Sequence, residues 1–364
     1  MHYVRFLRPP TIAARGPRRD LSIVLILSTD LGDSLLSVSQ PLPISILLFE
    51  ESNVVSQTPT FAASISWNPG ARVAKHTIPL PDRPWRQILV TVEEDLAAVD
   101  FPNLAVFARD SGASPRNPLI MPAWFDFKTG NRPAGRTDVC LRKLRLSGPL
   151  SVEFEEEFGD SIARHVWDGG LAAVSFLTQL HEGKVEAGRK MPYLSKLLFP
   201  DNKRPLNILE LGCGVGVLGI GLAGLLSLAA SPEVSSECHL LMTDVPDAEE
   251  RALANIGLFQ DSQGSLGGSI PTIEYENLDW EADLEVKFSE SIVSRPWDLV
   301  VLSDCTYNID TIPALVETLS QLHSTAAAHQ KSSPERQSLK VFLATKPRHS
   351  SEQAMSLRRF NSIC

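Results

Sequence analysis

Leu206-Asn207-Ile208-Leu209-Glu210-Leu211-Gly212-Cys213-Gly214-Val215-Gly216-Val217-Leu218-Gly219 is the stretch whose reading decides the fold. Asn207–Leu211 is a short apolar run with the character of a buried strand, and helical spacing resumes after the glycines through Leu228. Glycines at 212, 214 and 216 allow a tight turn and a close approach of backbone to a ligand. The helix that follows offers free N–H groups at its start. A strand, glycine turn and helix in this order bind nucleotide-like cofactors at the carboxyl end of a parallel sheet. Gly214-x-Gly216-x-x-Gly219 also satisfies a dinucleotide fingerprint, so the glycines by themselves leave the cofactor open. A glycine-rich helix start with no ligand is the plain alternative.

Working outward, the spacing predicts further strand–helix pairs. His239–Thr243 reads as a strand ending at Asp244, followed by a helix over 247–258 with Ala248, Ala252 and Ile256 at helical spacing and Asn255 near its end. Thr272–Glu276 reads as the next strand, ending in Asn277-Leu278-Asp279-Trp280. Trp297–Ser303 is the fourth, ending in Asp304-Cys305-Thr306-Tyr307, and after a helix over Ile312–Ala328 the fifth is Leu339–Thr345. Alternation at this spacing predicts an α/β fold with a doubly wound parallel sheet. An acid at the end of the second strand suits the two hydroxyls of a ribose, although Asp244 could instead cap the next helix. An indole beyond the third strand lies where an adenine ring would stack. Upstream, a hairpin over Val139–Leu146 and Leu150–Phe154 precedes a helix expected over Ile162–Leu180. Trp167, inside His165-Val166-Trp167-Asp168-Gly169-Gly170, reads equally as a core anchor or as a wall of a cofactor pocket.

Residues 1–135 have a different character. Ser22–Leu27, Ile44–Phe49, Phe61–Trp67 and Gln87–Val92 are strand candidates punctuated by many prolines, and Glu93-Glu94-Asp95 is expected to cap or open a short helix. Nothing here has catalytic spacing, and His76 reads as an exposed strand residue. The expected organisation is a β-rich N-terminal extension over 1–135 and a main domain over 136–364. At 364 residues the length suggests about two domains. The net charge of −9 argues against a nucleic-acid backbone binder. No apolar run approaches the ~20 residues that cross a bilayer. Arg5, Arg8, Arg15, Arg18 and Arg19 precede any acid, yet the apolar run Leu21–Leu27 is too short for a signal segment and lacks a small-residue cleavage site. Five scattered cysteines without metal or disulfide spacing fit a reducing compartment, so the expectation is a cytoplasmic protein, with the nucleus also open, without a metal.

From about Leu144 to His349 the chain resembles the family 16 class I (seven-strand) S-adenosylmethionine (AdoMet) methyltransferases, whose better-known members methylate lysines on proteins. Four motifs carry the resemblance in order and spacing: His165-Val166-Trp167-Asp168-Gly169-Gly170, Glu210–Gly216 with its E-x-G-x-G-x-G pattern, Leu278-Asp279-Trp280, and Asp304-Cys305-Thr306-Tyr307 as a D-x-x-Y signature. The resemblance implies a Rossmann-like sheet of order 3-2-1-4-5-7-6. Only about 14 residues follow Ser350 here, so the last two strands are expected to be lacking. It implies AdoMet as cofactor, held by Trp167, Glu210, Gly212, Cys213, Gly214, Gly216, Asp244, Trp280 and Ser303. It implies that Asp304 and Tyr307 serve the acceptor and catalytic side. The N-terminal module resembles that of fungal members with long extensions, one branch of which acts on translation elongation factor 2.

On this reading the protein transfers a methyl group to a lysine of a protein substrate, binds neither nucleic acid nor membrane, and is a monomer. An ammonium must lose its proton first, against an ordinary pKa of ~10.4. The Asp304 carboxylate is expected to hold the arriving ammonium and the Tyr307 phenol to shape the slot. Two other readings stay open: an N-methyltransferase of a small molecule, and an AdoMet-binding protein left inactive by the missing C-terminal strands.

Overall fold

The computed structural model describes residues 1–50, 58–102, 104, 119–127, 139–148, 150–159, 161–183, 191–200, 204–229, 237–263, 271–281, 288–332 and 338–346. The chain forms two compact units, one of residues 1–145 and 153–165 and the other of residues 146–152 and 166–364.

In the first unit the strands are β1 (His2–Phe6), β2 (Thr11–Arg15), β3 (Arg18–Ser28), β4 (Leu42–Phe49), β5 (Phe61–Trp67), β6 (Ala74–Leu80), β7 (Gln87–Thr91), β8 (Ile120–Met121), β9 (Ala123–Asp126), β10 (Val139–Ser147) and β11 (Leu150–Glu157). The tip of the β10–β11 hairpin, residues 146–152, belongs to the second unit. One sheet runs β2-β3-β1-β8 with β6 also on β3, and the other runs β11-β10-β9-β7-β4-β5. Period-2 patterning explains their pairing: Leu21, Ile23, Leu25 and Leu27 of β3 and Ile44, Ile46 and Leu48 of β4 are buried in one shared core. Five strands here were not expected from sequence: β1, β2, β6 and the short β8 and β9. β1 is short, β2 is largely exposed and so lacks an apolar face, and β6 carries Pro79, which ordinarily demotes a strand, yet pairs along β3. Glu93–Asp95 forms a single turn rather than opening a helix: the N–H of Leu96 donates to the Glu93 carbonyl at 3.0 Å.

In that sheet a fully buried ion pair is assembled. Arg142 donates Nε–H to Glu156 Oε1 at 2.8 Å and pairs with the same oxygen through Nη2, while its remaining donors reach the carbonyls of Pro122 at 2.7 Å and Val4 at 2.9 Å. Burial is the largest single influence and would raise the Glu156 carboxyl, but the Arg142 guanidinium, with His165 and Arg5, together outweigh it and hold the group well below the usual carboxylate range.

The second unit carries a parallel sheet of β12 (Leu206–Leu211), β13 (Cys238–Asp244), β14 (Thr272–Asn277), β15 (Leu299–Ser303) and β16 (Lys340–Ala344) in the order β14-β13-β12-β15-β16. Its helices are α1 (Asp168–His181), α2 (Pro192–Leu198), α3 (Val217–Ala229), α4 (Glu249–Gln263), α5 (Glu290–Val293) and α6 (Ile312–Ser332). Successive side chains of β12 point to opposite faces. Leu209 and Leu211 join the core of α6 with Leu315, Leu319 and Leu322, whereas Glu210 lies against Gly219 of α3. Gly221 lets α3 and α1 approach closely, since a Cβ there would lie 2.5 Å from Val174 Cγ2. The strand order reverses between β12 and β15, which is where open parallel sheets place their ligands.

Helix α1 starts six residues later than the sequence suggests. Ile162–Arg164 is a single 3-10 turn, and Trp167 is extended at φ −111° and ψ 143°. The expected absence of strands beyond β16 falls on residues 347–364, which lie outside the described residues. Among the described residues, no helix is long and apolar enough to cross a membrane.

Candidate active site

The glycine turn sits at the carboxyl end of β12 with Gly212, Gly214 and Gly216 at φ of 67°, 55° and 88°. That left-handed backbone is one side chains rarely adopt. Two hydrogen bonds tie the turn to the end of β13: Cys213 N–H to the Thr243 carbonyl at 3.0 Å, and Gly214 N–H to Asp244 Oδ2 at 2.6 Å. The second oxygen of Asp244 accepts the Val245 N–H at 2.7 Å. Burial raises the Asp244 carboxyl, against the pull of these two amides. From behind, Asn255 of α4 donates Nδ2–H to the Val215 carbonyl at 2.8 Å.

Glu210 is the anomaly of the site. It is 0% exposed, and neither carboxyl oxygen has a hydrogen-bond partner among the described residues. A Cβ at Gly219 would run into Oε2, so the carboxyl is wedged beneath the first turn of α3. Burial first, and the Asp244 charge second, push its pKa up to about 8, and the Gly219 amide eases this without making a properly aligned hydrogen bond.

Trp280 and Cys305 close over Gly212. A Cβ there would lie 2.7 Å from Cys305 Sγ and 3.1 Å from Trp280 Cη2. The Trp280 Nε1–H is buried with no hydrogen-bond partner among the described residues. Cys305 Sγ–H donates to the Leu211 carbonyl at 3.2 Å, and burial pushes both the Cys213 and the Cys305 thiols well up, which keeps them protonated. Ser303 ends β15 beside Gly170, whose Cβ would lie 3.4 Å from Ser303 Oγ.

Asp304 follows at φ 54°, a left-handed conformation for a residue with a side chain. It is 8% exposed. Its Oδ2 accepts the Gly169 N–H at 2.8 Å and its Oδ1 the Lys346 N–H at 2.9 Å. Lys346 Nζ in turn reaches Asp168 Oδ2 at 2.7 Å. Tyr307 is 57% exposed. Burial of its ring, with the charges of neighbouring acidic groups, raises the phenol above its ordinary value, so it is neutral at pH 7.

The carboxyl ends of β12, β13 and β15 thus gather the glycine turn, Glu210, Asp244, Ser303 and Asp304, with Trp280 against Gly212 and the start of α1, which Trp167 caps, bonded to Asp304. Three participants were given no role in the sequence analysis: Asn255, Gly169 and Lys346. Asn255 stood out only as an amide near the end of an apolar helical face, and Gly169 only as part of the His165–Gly170 motif. Lys346 left no signal, because its partner in the chain is remote.

The lysine methyltransferase family model matches residues 148–354. The chain belongs to that family. The match takes in the parallel sheet and every residue of the site just described. A UPF0665 family protein of Schizosaccharomyces pombe is 23% identical over 361 residues, covering 97% of this lysine methyltransferase family member and 90% of the relative. Among solved structures, one described as a "putative O-methyltransferase" from Nostoc punctiforme is 14% identical, with 42% of this chain and 36% of that chain covered at a TM-score of 0.21. A β-D-mannosidase from Dictyoglomus thermophilum is 10% identical, with 96% of this chain and 36% of that one covered at a TM-score of 0.15.

Proposed function

We propose that this methyltransferase moves a methyl group from AdoMet to the side-chain amine of a lysine on a protein, using a Rossmann-like class I domain over 136–364 with residues 1–135 as its extension. The observation that carries the reading is Glu210, a buried carboxyl with no hydrogen-bond partner among the described residues, beneath a glycine turn in a lysine methyltransferase family chain. The residues fit the cofactor. Within the turn Gly212, Gly214 and Gly216 carry no Cβ, and Glu210 offers an unsatisfied carboxyl to a cationic amino group. A carboxylate has about four lone-pair sites. Asp244 uses two of them on Gly214 and Val245, leaving acceptors for the hydroxyls of a ribose. Trp280 offers an indole face and an unpartnered N–H. Trp167, Cys213 and Ser303 complete the wall. When bound, AdoMet supplies an electrophilic methyl on a sulfonium.

The chain's own work lies on the acceptor side. A lysine reacts only as the neutral amine, so its ammonium must give its proton to solvent water, and desolvation in the slot then favours the neutral form. Tyr307, neutral and half-exposed, presents a phenol that shapes the slot and accepts one hydrogen bond from the amine without serving as a base. Asp304 acts as a positioning residue: its carboxylate grips Gly169 and Lys346 and so fixes the mouth where the amine arrives. Alignment of this kind accounts for a large share of the barrier lowered in a bimolecular transfer.

The test is incubation of the protein with methyl-labelled AdoMet and a cell lysate, with purified translation elongation factor 2 as a separate arm. Label in one protein band, recovered as methyl-lysine on hydrolysis, is expected. Label only in the small-molecule fraction would overturn the protein acceptor, and no label with no AdoMet binding would overturn the activity.

A further inference from the structure

We infer that Tyr275 is a positioning residue of the cofactor site, setting the preference for a ribose by holding the end of β13 where Asp244 meets the hydroxyls; the inference rests on the cofactor reading above.

Backbone aims the Asp244 carboxylate. Its Oδ2 accepts the Gly214 N–H at 2.6 Å, and its Oδ1 accepts the N–H of the next residue, Val245, at 2.7 Å. The direction of its remaining lone pairs therefore follows the Val245 peptide. Two bonds from the end of β14 fix the chain at that point. The Leu278 N–H donates to the Asp244 carbonyl at 2.8 Å, and the Tyr275 hydroxyl donates to the Val245 carbonyl at 3.1 Å. That carbonyl also accepts the Ala248 N–H at 3.0 Å, in the turn that leads into α4. Register brings the phenol within reach. Met242 faces Tyr275 and Asp244 faces Asn277, so Tyr275 and Asn277 lie on one face of β14, two residues apart.

Packing by itself does not call for a hydroxyl here. Strand β14 pairs with β13 and, among the described residues, with no strand on its other side, and Tyr275 is half-buried. A phenylalanine would cover the same surface. The phenol stays protonated and so remains a donor: burial first, then Cys213 and the charges of Asp244 and Glu249, push it above its ordinary value. It has one proton for two acceptors, because Asn277 Oδ1 also lies at 3.1 Å. Asn277 is turned that way by its own bond, Nδ2–H to Glu249 Oε2 at 2.8 Å. The Val245 carbonyl thus shares the phenol proton with Asn277, and removing the Asn277 amide leaves that proton to Val245. Removing the hydroxyl instead frees the Val245 peptide, and with it the carboxylate that the peptide aims. A ligand-binding side chain is only as well placed as the bonds behind it allow.

The experiment uses the full chain and titration calorimetry with S-adenosylhomocysteine and with its 2′-deoxy analogue. The parent should bind the ribose form about tenfold more tightly, since the hydroxyl that the analogue lacks bonds a carboxylate. Asp244→Asn should cut that ratio to about twofold. Tyr275→Phe should cut it to about threefold, by weaker binding of the ribose form, and adding Tyr275→Phe to Asp244→Asn should cost no further preference. Asn277→Ala should keep the parental ratio. In a transfer assay the Tyr275→Phe loss should fall on the KM for AdoMet with kcat largely kept. A Tyr275→Phe protein with the parental ratio would overturn the inference, whatever its melting temperature. So would an Asn277→Ala protein that loses the preference as Tyr275→Phe does. A parent that binds both ligands equally overturns it too, while leaving AdoMet as the cofactor. A parent that binds neither ligand removes the cofactor reading and this inference with it.

Discussion

Asp304 and Gly169 lie 135 residues apart in the chain, and the Gly169 N–H donates to Asp304 Oδ2 at 2.8 Å. That one bond explains why α1 begins at Asp168. A helix leaves its first N–H groups without partners, and they must be met by a side chain or by water. Here the carboxylate that meets one of them comes from the end of β15, so a helix start is set by a residue in another motif.

The first prediction follows from that carboxylate. Asp304→Asn keeps the size of the side chain, and asparagine tolerates the left-handed backbone at φ 54°. The amide nitrogen, however, turns a donor toward either Gly169 N–H or Lys346 N–H, so one of the two bonds is lost. Misplacement of the mouth should then lower kcat on the order of 100-fold. AdoMet affinity should change by far less, since Glu210 and the glycine turn are untouched. Calorimetry and a transfer assay on the same preparation separate the two effects, and an Asp304→Asn protein with parental kcat would sink the idea.

Two glycines should respond to alanine in opposite directions. Gly212→Ala meets both a φ of 67° and a Cβ 2.7 Å from Cys305 Sγ, so backbone strain of about 1–3 kcal/mol is compounded by a clash. It should lower stability and weaken AdoMet binding together. Gly257 lies within α4 (Glu249–Gln263) with nothing within 4 Å of an added Cβ, and Gly257→Ala should stabilise the protein by roughly 0.5–1 kcal/mol. Urea denaturation of the two variants checks both signs.

Much of the second unit could be read from its residues because parallel strands are buried on both faces. A run such as Leu299–Ser303 stands out as short and nearly all apolar. The glycine turn was legible for a different reason: three glycines in register serve a backbone that only they adopt freely. What could not be read was set by distant partners. The start of α1 depends on Asp304, and Lys346 looks like an ordinary loop lysine until β16 brings it to Asp168. In the first unit, β2 and β6 carry weak patterns of their own and form because β3, apolar at every second residue, offers both of them a ladder. That is tertiary context overriding local propensity.

The buried ion pair of the first unit gives the third prediction. Arg142→Met leaves the Glu156 carboxylate buried without its guanidinium, and this should cost about 3–5 kcal/mol of stability. The double variant Arg142→Met, Glu156→Leu removes both charges and should recover a substantial part of that loss. Denaturation midpoints of the parent, the single and the double variant decide it. A double variant as unstable as the single one would mean that Glu156 is not the residue left stranded.

The last prediction concerns pH and Glu210. Its carboxyl is raised from an ordinary 4.5 to about 8 by burial first and by the Asp244 charge second. Folded protein therefore keeps a proton that the unfolded chain releases above pH 4.5. The stabilisation tied to that proton is complete below 4.5 and is lost as pH rises toward about 8, at up to about 1.4 kcal/mol per pH unit. Asp244, also raised by burial, acts in the same direction, whereas His181 and His239, both lowered by burial, cost stability as pH falls. Comparing the parent with Glu210→Gln cancels those shared groups. Glutamine has no proton to lose, and the penalty of its amide among partnerless surroundings is the same at every pH. The parent should thus lose stability relative to Glu210→Gln between pH 5 and pH 8, measured by urea denaturation at several pH values. A difference between the two proteins that stays constant across that window would show that Glu210 is ionised in the fold, and that some group outside the described residues gives it a partner.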